Sequence, residues 1–119
     1  SRREATEIME WGNYKAIIKH LQDVPARDLK ALVDRYKQEV QSGIVVVTSV
    51  SEDRVALVIG ITDDLTDLLN AIPLVQAGAI VLGGQGGGGR PDLAQSGGPL
   101  KENIHQLEGV LKEKILSVS

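Results

Sequence analysis

Ile44-Val45-Val46-Val47-Thr48, Ser51-Glu52-Asp53-Arg54 and Val55-Ala56-Leu57-Val58-Ile59-Gly60-Ile61 decide the fold of this chain. The first run is β-branched throughout and suits a buried strand. The four polar residues make a turn, and the following run is apolar on both of its alternating faces. Two such strands joined by a short turn read as a hairpin at the centre of a sheet.

Upstream, Tyr14-Lys15-Ala16-Ile17-Ile18-Lys19-His20-Leu21 is a short apolar run with β-branched residues and reads as another strand. Asp23-Val24-Pro25 then punctuates the chain, with Pro25 suited to a first helical turn and Asp23 placed to cap it. Leu29, Leu32, Val33, Tyr36 and Val40 recur at i, i+3, i+4, i+7 and i+11, the stripe of a helix that Ser42-Gly43 ends. Residues 1–12 read as the end of a truncated linker helix, with Ile8, Met9 and Trp11 packing on a missing segment. The domain proper then covers residues 13–119. A chain that begins at Ser1 inside a charged, helical-looking segment reads as a piece of a longer protein.

Downstream, Thr62-Asp63-Asp64 opens a short helix through Leu68-Leu69, with its acids near the positive helix end. Pro73 restarts the chain into a second helix ending near Leu82, although residues 79–82 taken alone also fit a strand. Pro99 starts a last helix, on which Ile104, Leu107, Leu111 and Ile115 share one face. The architecture expected is α/β: a mixed β-sheet with helices packed against it and a glycine-rich loop before the last helix.

That loop, residues 83–98, is glycine at eight of its sixteen positions. Such density admits left-handed backbone and lets main-chain N–H groups come close to a ligand. Arg90 adds a planar charged fork suited to phosphate or carboxylate, so the run reads as a backbone nest for an anion or a ribose-phosphate edge. A flexible linker would not interrupt its glycines with Arg-Pro-Asp-Leu-Ala-Gln. Gly84, Gly86 and Gly89 satisfy a dinucleotide fingerprint formally, but Pro91 and Gly97-Gly98 leave no room for the helix that motif must open. Arg90-Pro91 stands where a Walker loop needs Lys-Ser/Thr.

A length of 119 residues supports one domain, and with one Trp, two Tyr and no Phe its core must be aliphatic. Cysteine is absent, which removes disulfides and thiolate metal sites and fits a cytoplasmic location. No apolar run approaches the ~20 residues needed to cross a bilayer, so no membrane partner is expected. The net charge of −3 argues against a broad basic groove and for a local polar site. His20 and His105 are too few for a metal centre. Asp63, Asp64 and Asp67 fit a solvated helix start better than a magnesium cluster. No catalytic triad can be assembled, so the chain is expected to be non-catalytic, with no catalytic residue and no metal ligand.

Gly86-Gly87-Gly88-Gly89-Arg90-Pro91-Asp92-Leu93-Ala94-Gln95-Ser96-Gly97-Gly98 resembles the glycine-rich signature of the C-terminal domain of bacterial alanyl-tRNA synthetases. That domain is of the DHH-associated type, shared with DHH-family phosphoesterases. The likeness extends over residues 13–116, through Asp28-Leu29-Lys30, Leu32-Val33-Asp34 and the two central strands. Arg90 fits the synthetase branch, since the phosphoesterases usually carry His after the glycines. The resemblance implies an accessory domain that binds tRNA(Ala) at its outer corner and helps couple aminoacylation to editing. Gly84, Gly86, Gly87, Gly88, Gly89, Arg90 and Gln95 are the RNA-binding candidates, with Arg90 on phosphate or a guanine edge and Gln95 on base or ribose. No cofactor is implied within these residues, because the parent enzyme's ATP, magnesium and zinc sites fall elsewhere. The implied partners are the catalytic and editing domains of the same parent chain and, in some members, a second copy. The alternatives are a phosphoesterase substrate-binding domain and a dimerisation module.

Overall fold

The computed structural model describes residues 6–118. Six strands form one sheet in the order β1-β2-β3-β4-β6-β5: β1 (Met9–Trp11), β2 (Tyr14–Gln22), β3 (Gly43–Ser51), β4 (Arg54–Ile61), β5 (Gly88–Arg90) and β6 (Leu93–Gly98). β2 and β3 are parallel and every other neighbouring pair is antiparallel, so the sheet is mixed as expected. The parallel pair is joined by α1 (Ala26–Val40). A parallel connection needs such a crossover, and the apolar stripe on α1 supplies it. The β3–β4 hairpin sits in mid-sheet, and its turn places Glu52 and Asp53 at φ +52° and +63°. Two left-handed central residues match the twist of the flanking strands.

Alternation along the central strands divides the core into two layers. Ile17, Val45, Val47 and Val58 face Leu29, Val33 and Val40 of α1. Ala16, Ile44, Val46, Leu57 and Ile59 face the other way, toward α2 (Ala71–Val81) and α3 (Leu107–Leu116). Helices therefore cover both faces of the sheet, but not equally. α1 packs on β2, β3 and β4, whereas α2 reaches across β4 to β6 and β5. The α1-side face of the β5–β6 hairpin is consequently left open.

Several local expectations need correction. Residues 9–11 are not helical: β1 pairs with β2, and Trp11 is wholly buried in this domain's own core. Residues 1–5 of the expected linker helix lie outside the described residues. Asp23 does not cap α1, because it stands at φ +59° with its N–H on the Val50 carbonyl at 2.9 Å; Pro25 occupies the cap position. The helix expected from Thr62 is only a 3₁₀ turn over Asp63–Leu65, while α2 starts at Ala71 under the side chain of Asn70. That helix ends near Leu82 as expected, with residues 79–81 helical and Leu82 its C-cap, so the strand alternative falls. After Pro99 the chain runs as a 3₁₀ segment, Lys101–Gln106, before α3 buries Leu107, Leu111 and Ile115. The largest difference concerns the glycine run. Only its first part is loop; the rest is the β5–β6 hairpin, and Gln95, Gly97 and Gly98 lie on a strand.

Candidate nucleic-acid interface

Cross-strand register sets the geometry of the open face. Gly88 is opposite Gln95, Gly89 opposite Ala94, and Arg90 opposite Leu93. Directly opposed residues share a face, and side chains alternate along each strand. Arg90, Leu93, Gly88 and Gln95 thus occupy the α1-side face, while Gly89 and Ala94 turn toward α2. An open cleft of about 760 Å³ lies here, lined by Lys30, Gly87, Gly88, Gly89, Arg90, Leu93, Ala94 and Gln95. Lys30 reaches it from α1. Both charged residues in the lining are cations, Lys30 and Arg90, and the Asp92 carboxylate lies beside Arg90 just outside it.

The glycines of the run serve different ends. A Cβ on Gly84 would overlap the carbonyl oxygen of Gly97, and one on Gly98 would overlap that of Leu82. These are close backbone crossings between the end of α2 and β6, and Gly84 does not line the cleft. Gly86 also lies off the lining; it stands at φ +76°. Gly87 and Gly89, at φ +116° and +146°, are required by the backbone path itself. Gly88 differs from all of them. It has no positive φ, and a Cβ there would meet nothing within 4 Å. The fold makes no demand for glycine at that position, yet it lies between Arg90 and Gln95 on the open face.

The hairpin is fixed from behind. Gln76 of α2 donates to the Gly87 carbonyl at 3.3 Å, and Ser96 donates to the Val75 carbonyl at 2.7 Å. At its turn, the Pro91 and Asp92 carbonyls accept from the N–H groups of Ala71 and Ile61 at 2.8 and 2.9 Å. Asp92 Oδ1 lies 3.3 Å from Arg90 Nε, and the Arg90 side chain stays 69% exposed. Gln95 is exposed, and its amide makes no hydrogen bond among the described residues. The cleft thus presents a guanidinium fork, an amide and an ammonium group around bare backbone. That set suits phosphate, ribose and base edges.

The remaining polar candidates lie elsewhere. His20, on β2, is separated from β6 by β3 and β4; its Nδ1 is 2.7 Å from Thr48 Oγ1, and burial lowers its pKa against an opposing effect of Glu108. His105 is exposed on the segment before α3. Asp64 accepts the Ser42 hydroxyl, which holds its carboxyl below the ordinary range. Among the described residues, no three His, Asp or Glu side chains gather as a metal-binding group. No helix there is long and apolar enough to cross a membrane. Three lining residues were not among the sequence candidates: Leu93 and Ala94 of β6, and the charged Lys30. Nothing in its neighbourhood marks Lys30 as a site residue, because it reaches the cleft only through the way the crossover lays α1 on the sheet.

The chain that folds into this mixed six-stranded sheet and glycine-rich hairpin has a class: the DHHA1 domain matches residues 13–116, and the chain belongs to that family. The particular branch follows from its relatives. The chain is 47% identical over 100 residues to the alanine–tRNA ligase of Parvibaculum lavamentivorans and 41% identical over 95 residues to that of Granulibacter bethesdensis. These alignments take in 83% and 80% of the chain, which spans about 11% of each relative's length. Among solved structures, the C-Ala domain from Aquifex aeolicus alanyl-tRNA synthetase is 32% identical with a TM-score of 0.85, covering 93% of this chain and 98% of that one. The resemblance to the C-terminal domain of bacterial alanyl-tRNA synthetases, and the α/β fold expected with it, are borne out.

Proposed function

We propose that the chain is a non-catalytic accessory domain that binds tRNA through the open face of the β5–β6 hairpin. Its parent on this reading is a cytoplasmic alanine–tRNA ligase, whose catalytic and editing domains use ATP, magnesium and zinc outside these residues. The RNA is tRNA(Ala), held at its outer corner, and the contact helps couple aminoacylation to editing. The observation that carries the reading is Gly88. It is a glycine without an architectural reason, set between a guanidinium and an amide in a cleft whose charged lining is cationic. A ligand that needs main-chain approach explains it. The ligase relatives support RNA as that ligand.

Salt dependence tests the electrostatic part. Each cation that neutralises a phosphate adds about 0.7–0.9 to the slope of log affinity against log salt. Lys30→Ala should reduce the slope for intact tRNA by roughly that amount. A slope unchanged by Lys30→Ala would remove Lys30 from the interface.

A further inference from the structure

Asp92 carries one carboxylate between two cations from different elements. Its Oδ1 is 3.3 Å from Arg90 Nε on β5, and its Oδ2 is 3.6 Å from Lys37 Nζ on α1. The turn that holds Asp92 does not depend on that carboxylate, because the Pro91 and Asp92 carbonyls already anchor it to Ala71 and Ile61. The Lys37 side chain is only 14% exposed, and its stem lies along Gly60. It is a largely covered cation whose charge offsets that of Asp92. Arg90 is therefore ion-paired along the Nε edge of its guanidinium. Its terminal amino groups remain available for a planar, two-point contact of the kind phosphate accepts.

We propose that Asp92 is a positioning residue for RNA: it holds Arg90 by Nε so that the terminal fork faces the cleft, while Lys37 neutralises its charge. The proposal rests on the RNA reading of the cleft, and its sign separates it from bulk electrostatics. A carboxylate acting only through its charge repels phosphate, so neutralising it would tighten binding. A carboxylate that orients Arg90 has the opposite effect, and its removal weakens binding.

The test is a double-mutant cycle on the 119-residue chain, with intact tRNA titrated into wild type, Asp92→Asn, Arg90→Ala and the double variant. Asp92→Asn should weaken binding about two- to fivefold, the range of a partly exposed ion pair, and should add nothing on the Arg90→Ala background. Tighter binding, or equal weakening on both backgrounds, would overturn the positioning role. Loss of affinity at Arg90 without loss at Asp92 overturns the positioning role alone. Unchanged affinity at Arg90 overturns the RNA reading and this proposal with it. A readout without RNA is the order parameter of the Arg90 Nε–H from nitrogen-15 relaxation. Asp92→Asn should lower it in an otherwise native spectrum, and an unchanged value contradicts the positioning role. Should Asp92→Asn unfold by stranding Lys37, Lys37→Gln and Lys37→Gln/Asp92→Asn make the same comparison.

Discussion

Gly84→Ala lowers the melting temperature of the chain by roughly 10 °C, a loss of about 3 kcal/mol in stability. The added methyl group falls on the carbonyl oxygen of Gly97, with the Gly97 carbonyl carbon and Gly98 Cα also in its way. All three are backbone atoms, so no side chain can swing aside. The chain cannot easily move apart either. The Gly84 N–H is bonded to the Ala79 carbonyl at 2.8 Å, and β6 is paired to β4 along Val55–Gly60. Thermal unfolding followed by circular dichroism checks the prediction. A melting temperature within a degree or two of wild type would show that this crossing is not tight.

Gly88→Val, four positions on, has the reverse signature. Stability should stay close to wild type, since Gly88 has no positive φ, its Cβ would enter open space, and valine suits an extended edge strand. The strain that valine would meet at a left-handed glycine does not arise at this backbone. Affinity for tRNA should fall at least ~10-fold, because the branched side chain fills the gap between Arg90 and Gln95. Paired thermal melts and tRNA titrations separate the two effects. Undiminished affinity would mean that no ligand approaches the bare backbone.

The core was legible in the sequence because its periodicity is strong. The β3–β4 hairpin and the α1 stripe follow from unbroken apolar runs and a regular spacing, and both stand where those patterns put them. The β5–β6 hairpin was not legible as strand. It holds only Leu93 and Ala94 as apolar residues and is otherwise glycine and polar, a composition with poor intrinsic strand preference. Tertiary pairing with β4 makes it a strand, and Gly97 and Gly98 are glycine because the Val55 and Leu82 carbonyls cross there. β1 was missed for a related reason: three residues show no period, and burial of Trp11 in the core decides their conformation. At the site, Gly87, Gly88, Gly89, Arg90 and Gln95 meet in one cleft, as their density in sequence suggested, while Gly84 and Gly86 fall outside its lining. Lys30 could not be read from sequence, because its nearness to Arg90 is a product of the crossover.

The most direct measurement of the central claim compares intact tRNA with an acceptor-stem minihelix, each titrated into wild type and Arg90→Ala under one salt condition. Arg90 is exposed, so its removal should leave stability nearly unchanged. The account predicts that wild type prefers the intact tRNA, and that Arg90→Ala loses about 1–3 kcal/mol of binding to it while scarcely changing the minihelix. Equal binding of the two RNAs, indifferent to Arg90, would contradict recognition of the tRNA corner and leave the glycine-rich hairpin as architecture alone.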